Sequence, residues 1–333
     1  MIDMNPVLKS SIYPVLPANL TAIFESVPSE ILHRTTEIRL RISQPLLLRS
    51  QSGDVMLGNC GQPVQERQQA YLCKPDDIHK SLLLMCQNSI YAFEEELRAG
   101  FLTLQGGHRV GVAGQVVFYE GRVKTFKCVS SLNIRLAREV TGCADLIFPY
   151  ILAGKKILNS LIISPPRCGK TTILRDLARH ISTGDARYNF PGAQVGIVDE
   201  RSEIAACVQG VPSVDLGERV DVLDGCLKAH GMLMLIRSMA PQVIITDELG
   251  REEDTEAICE AIHAGTSVIT TVHGQSIEDI LNRPYVGELI KRLYFHRYII
   301  LNDTPQPGTV KEITDAQTGK MLYLLRKGVK ICG

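Results

Sequence analysis

The chain has no tryptophan, only 5% aromatic residues, and no net charge, its 36 basic side chains matching 36 acidic ones over 333 residues. Balanced charge removes the global basic excess that marks binders of nucleic acid or anionic lipid, leaving room only for a local basic groove. Few aromatics means no stacking platform for single strands, which sets nucleic acid aside as a partner. No apolar run reaches the ~18–20 residues that cross a bilayer. The nearest, "YILAGKKILNSLIIS", is broken by Lys155 and Lys156. The N-terminus "MIDMNPVLKSSIYPVL" lacks a basic stretch leading into an apolar one, so no secretory signal is expected. The ten cysteines form no C-x-x-C pair and no Cys/His cluster at zinc spacing. Cysteines in apolar or helical settings, such as Cys86, Cys207 and Cys259, are expected to be buried, reduced thiols, and no zinc site is expected.

What is present divides into two rhythms. Residues 1–148 read as a mixed α+β domain. "EILHRTTEIRLRISQPLLLRS" starts helical and turns to strand at Glu37, where Ile38, Leu40 and Ile42 alternate with charged residues. "PDDIHKSLLLMCQNSIYAFEEELRAG" has helical spacing from Pro75 to a stop at Gly100. Short strands follow, with turns at Gly106-Gly107 and Glu120-Gly121. Across 149–333, apolar runs alternate with helical segments: "ILNSLIIS", the helix after "GKT", "AQVGIVDE", the 227–239 helix, "QVIITDE", the 252–263 helix and "TSVITTVH". Parallel strands need crossovers and are covered on both faces, so this alternation predicts an α/β domain with a mainly parallel sheet. The tail reads as closing strands, with a hairpin turn at Asp315–Gly319.

The chemistry lies in the second part. Gly169, Lys170 and Thr171 follow a buried strand, read over 157–164, and open an amphipathic helix, read over 170–180. Amides of such a loop and helix N-terminus cradle phosphate, with Lys170 on the β- and γ-phosphates and the Thr171 hydroxyl on Mg²⁺. This points to ATP with Mg²⁺. The front of the loop is unusual: Ser164 stands where the phosphate-loop pattern has its first glycine, followed by Pro165, Pro166 and Arg167. A positive φ at Ser164, costing about 1 kcal/mol, is the expectation there. The prolines lack N–H groups, so the phosphate donors are expected from Cys168 to Thr172. "QVIITDELG" supplies a buried strand ending in Asp247, a Mg²⁺ ligand through water, and Glu248, a general base for the attacking water. Asp199 and Glu200 end another strand, in "GIVDERSE", and face the ligand crevice or else form a charged turn pairing with Arg201. Thr271 and His273 end "VITTVHG", His273 being placed to donate to the γ-phosphate or to sense its loss. Arg237, just before the Asp-Glu strand, is a candidate cation for the γ-phosphate, as are Arg109, Arg135 and Arg138.

Together these motifs resemble the secretion ATPases of type II and type IV systems and pilus motors. The matching segments are "IVDERSE", "LMLIRSMAPQVIITDELGRE" and "TTVHG". The resemblance implies a RecA-like P-loop ATPase domain behind a smaller N-terminal domain. It also implies a homo-oligomeric, hexameric ring and arginines of the N-terminal domain that reach the nucleotide, which raises Arg109 and Arg135. "YAFEEELRAGFLTLQGGHRVGVAGQ", "IISPPRCGKTTILRDLAR" and "DLGERVDVLDG" are similar to a sporulation branch of these ATPases. That branch implies a cytoplasmic mother-cell enzyme working with membrane proteins of a channel between mother cell and forespore. Two features depart from the wider family: Asp247-Glu248 replaces its Gly-Glu, and the four-cysteine zinc module of some members is absent. The competing readings are an ATP-binding switch or scaffold with little turnover, and a nucleic-acid translocase.

Overall fold

The computed structural model describes residues 8–50, 53–119, 121–137 and 140–325. The chain forms two compact units, Met1–Arg138 and Glu139–Gly333. The break lies before residue 148 because Ala144, Ile147 and Phe148 are buried in the second unit's core.

In the first unit, helices α1 (Ala18–Glu25), α2 (Ser29–Arg34), α3 (Pro75–Met85) and α4 (Glu94–Arg98) accompany one antiparallel sheet. Its strands are β1 (Thr35–Arg41), β2 (Leu47–Ser50), β3 (Gly53–Leu57), β4 (Pro63–Val64), β5 (Phe101–Leu104), β6 (His108–Tyr119) and β7 (Arg122–Arg135). They lie in the order β4-β3-β2-β1-β7-β6-β5. The period-two pattern is obeyed: Ile38 and Leu40 go under with Val110, Leu132 and Ile134, joining Leu20, Phe24, Ile78 and Leu82 in one core. The single helix expected from Pro75 to Gly100 is instead broken. Gln87 and Asn88 take left-handed φ values of 50° and 60°, which end α3, and the chain resumes as a short 3-10 turn and then α4. The Gly106-Gly107 turn forms as expected, whereas Glu120 lies outside the described residues.

The second unit begins with α5 (Phe148–Ile151) and a small hairpin of β8 (Leu152–Ala153) and β9 (Lys156–Ile157). Next come β10 (Ser160–Ser164), α6 (Lys170–Thr183), β11 (Val195–Asp199), β12 (Val220–Asp224), α7 (Lys228–Ser238) and β13 (Val243–Thr246). Then follow α8 (Glu252–His263), β14 (Ser267–His273), α9 (Ile277–Leu281), α10 (Val286–Lys291), β15 (Arg297–Asn302), β16 (Thr309–Asp315) and β17 (Met321–Leu324). The sheet order is β12-β11-β13-β14-β10-β15-β16-β17, parallel from β12 through β15 and antiparallel at β16 and β17. The closing hairpin turns where expected, with Gly319 at φ 68°.

Every residue of β10, β11 and β13 is buried, because both faces are covered. On one face α6 packs Ile173, Leu174, Leu177 and Ile181 over Ile162, Ile197, Ile245 and Ile269. On the other, Met232, Leu235, Ile258, Ile280 and Leu289 pack over Leu161, Ile163, Ile244 and Val268. This arrangement leaves a crevice at the carboxyl ends of β10, β11, β13 and β14, where an open α/β sheet takes its ligand.

Candidate functional site

The loop between β10 and α6 departs from the sequence expectation at its front. Ser164 is fully buried as the last residue of its strand and is not among the left-handed positions. Its hydroxyl donates to the Pro165 carbonyl at 2.9 Å, and its own carbonyl accepts from Gly274 N–H at 3.1 Å. It is walled into the sheet and carries no positive-φ strain. The left-handed residues are Arg167 at φ 63° and Gly169 at φ 77°, so a cost of about 1 kcal/mol belongs to Arg167. Pro165 and Pro166 give carbonyls instead of amides, accepting from Lys170 Nζ at 3.4 Å and from Cys168 Sγ at 3.6 Å. α6 begins at Lys170, so the first-turn amides of Lys170, Thr171 and Thr172 have no partner within the helix and face the crevice mouth.

The acidic residues expected opposite this loop are there. Thr171 Oγ1 donates to Asp247 Oδ2 at 3.2 Å, and Thr271 Oγ1 donates to Asp247 Oδ1. Thr271 Oγ1 also accepts from Glu248 N–H at 2.9 Å, so one hydroxyl fixes both acids. Glu248 takes φ 50°, which swings it out of the line of β13 toward β14. Its carboxylate meets His273 Nε2 at 3.4 Å and an Arg201 guanidinium nitrogen at 3.6 Å. His273 Nδ1 is 3.0 Å from Lys170 Nζ. Lys170 is buried, and burial draws its pKa below the usual lysine value, with the charges of Asp247 and Glu248 pulling the other way. A hydroxyl and a carboxylate in contact are hard oxygen donors, so Thr171 and Asp247 fit a Mg²⁺ ion.

The residues after β11 divide. Asp199 lines the crevice as expected but is buried there, its carboxylate taken up by the chain that follows: it accepts the N–H groups of Glu203, Ile204 and Ala205, each at 2.8 Å. Burial raises its pKa, and those donors oppose the rise. Arg175 of α6 clamps the same segment, donating to the Ile204 and Glu203 carbonyls at 2.6 Å. Glu200 also lines the crevice with Asp247 and Glu248, but its carboxylate meets cations, Lys228 Nζ at 2.5 Å and Arg251 at 3.8 Å. Burial works against its charge, but Lys228 and the two arginines outweigh it and hold its pKa below the ordinary value. Lys228 and Arg251 were not singled out in the sequence. Lys228 stands 28 residues from Glu200, so only the β11-β12 crossover joins them.

The arginines fare differently. Arg237 lies exposed in the last turn of α7, which leads into the amino end of β13. That is the opposite end of the sheet from the loop at Gly169, so the structure does not bring Arg237 to the site. Arg109 and Arg135 are register partners on β6 and β7 of the first unit. The Arg109 guanidinium lies 3.7 Å over the Phe101 ring, and Glu37 pairs with Arg135 across the next ladder. Arg138 lies outside the described residues.

A family model described as "Sporulation stage III, protein AA" matches residues 8–322. The chain belongs to that family. It is 44% identical over 323 residues to the stage III sporulation protein AA of Bacillus subtilis (strain 168), covering 97% of this chain and 100% of that one. In fold it is similar to the ATPase DotB of Yersinia pseudotuberculosis, with a TM-score of 0.58 at 13% identity over 92% of this chain and 82% of that one. A solved pilus retraction motor, PilT with bound ADP, gives 0.52 at 16% identity over 81% of this chain and 75% of the other. At such identities the likeness is one of fold, and the fold is that of the secretion and pilus ATPases. Among the described residues no helix is long and apolar enough to cross a membrane.

Proposed function

We propose that the chain hydrolyses ATP as a homo-oligomeric ring, a hexamer by family resemblance, to power or assemble a channel between mother cell and forespore during sporulation. It works from the mother-cell cytoplasm, with membrane proteins of the channel as partners. The observation that carries this reading is the meeting of Lys170 and Thr171 with Asp247, Glu248 and His273 at the ends of three parallel strands.

In this reading the amides from Cys168 to Thr172 hold the phosphates, and Lys170 leaves His273 to neutralise them. Thr171 and Asp247 would hold a Mg²⁺ ion, which would supply further positive charge. Glu248 accepts a proton from water as the water oxygen attacks the γ-phosphorus. The bond to the bridging oxygen breaks, and ADP departs with the electron pair. His273, touching both Lys170 and Glu248, reports whether the phosphate is present. Arg109 and Arg135 are cations that one subunit offers to another's nucleotide.

Glu248→Gln should keep ATP binding and lower turnover by at least about 100-fold, while Lys170→Ala should weaken binding itself. Turnover by Glu248→Gln at the parent rate would remove Glu248 as the base. A second reading, an ATP-dependent switch with little turnover, draws on the engagement of Glu248 by both His273 and Arg201. ATP binding without turnover, alone or with the channel proteins, selects it.

A further inference from the structure

β10 lies between β14 and β15, and the residues discussed so far approach from one side only. Asp247, Glu248 and His273 come from the ends of β13 and β14. On the other side the chain leaves β15 at Asn302 and returns at Thr309 in β16. That connection lies against the phosphate loop: Gly308 N–H donates to the Cys168 carbonyl at 3.0 Å. A Cβ placed on Gly169 would stand 3.1 Å from Gly308 N.

A triphosphate that lies along the loop with its last phosphorus at Glu248 must point its other end away from β14. It then leaves over the 303–308 connection. The connection is a braced platform. The Thr309 hydroxyl donates to the Gln306 carbonyl at 2.6 Å, and Thr309 N–H donates to the same carbonyl at 3.2 Å. Pro305 and Pro307 restrict its backbone further. Asp303 is exposed at its start, three residues past Ile300, which pairs with Ile163 where β10 enters the phosphate loop, and its carboxylate accepts from the Thr304 hydroxyl at 3.1 Å. A carboxylate beside the phosphates suits ribose, whose hydroxyls are donors.

We propose that the Asp303–Gly308 connection is the nucleoside subsite and that Asp303 accepts hydrogen bonds from the ribose hydroxyls. This rests on the nucleotide-binding reading above. Calorimetric titration of the full chain, with Mg²⁺, by ATP, 2′,3′-dideoxy-ATP and tripolyphosphate tests both and separates them. The parent should bind ATP about tenfold tighter than the dideoxy nucleotide. Asp303→Ala should bind the two alike, with its tripolyphosphate affinity and melting temperature unchanged, and Asp303→Asn should recover part of the preference. A parent indifferent to the ribose hydroxyls, or an Asp303→Ala that keeps the preference, overturns the subsite. If the parent binds none of the three, the nucleotide reading falls and the subsite falls with it.

Discussion

His108 opens β6 with no solvent exposure, its Nδ1 accepting from Ala137 N–H at 3.0 Å and its Nε2 2.8 Å from the Ser11 hydroxyl. Burial takes its pKa down to about 4, from an ordinary 6.5. The folded state therefore stays neutral while the unfolded state protonates, so stability is complete above pH 6.5 and drains away as pH falls toward 4. The full loss amounts to about 3 kcal/mol. Urea unfolding at pH 7 and pH 5 should show the first unit losing stability at the lower pH, and His108→Gln should flatten that difference. Asp199 makes a second case at this scale. An asparagine has one acceptor oxygen for the three amides that Asp199 holds with two. Asp199→Asn should cost about 1–3 kcal/mol, read as a lower melting temperature of the second unit. The same change at Asp247 is expected to act on nucleotide binding, because that side chain meets hydroxyls at the crevice and ties down no loop.

At the scale of elements, α6 and the strands around it decide what the site can do. Ile173, Leu174 and Leu177 seat the helix on β10 and β13, so its first turn cannot drift from Asp247 without opening the core. Gly169 is the hinge of this joint, left-handed and within contact of the next connection at Gly308. Gly169→Ala brings a Cβ into both constraints, at about 1–2 kcal/mol. It should weaken ATP and tripolyphosphate to the same degree, unlike a change at Asp303, and calorimetry with the two ligands distinguishes them. Cysteines divide along the same lines. Burial lifts the Cys86 thiol to about 11 and the Cys207 thiol to about 12, as their apolar settings suggested, whereas Cys60 and Cys128 are exposed on the first unit.

At the scale of the whole molecule, the first unit presents Arg109 and Arg135 side by side, where like charges across a ladder are unfavourable. Glu37, beside Arg135, offsets part of that cost: burial disfavours its charge, but Arg39 and Arg135 outweigh this and hold its pKa below normal. Removing Arg135 should therefore leave the melting temperature unchanged or slightly higher. If the arginines serve a neighbouring subunit, specific ATPase activity should rise with protein concentration in the parent, and Arg135→Ala should lose most of that rise. Activity independent of concentration in both proteins would assign the arginines to the first unit alone.

Much of this was legible in the linear chain because its physics is local. The period-two pattern of Ile38 and Leu40 and the continuous apolar runs of β10, β11 and β13 reflect whether one or both faces are covered. The strand–GKT–helix order and the Asp247-Glu248 strand end fall within single segments, so spacing alone located them. The tertiary structure decided whatever depends on neighbours distant in sequence. It walled Ser164 into the sheet and moved the strained φ to Arg167, since the Gly274 amide and β14 occupy the space beside the strand end. It carried Arg237 to the far end of the sheet, because a crossover helix runs opposite to the strands it joins. It paired Glu200 with Lys228 and set the 303–308 connection against the phosphate loop. Contacts of that kind follow from strand order, which no short stretch of sequence encodes.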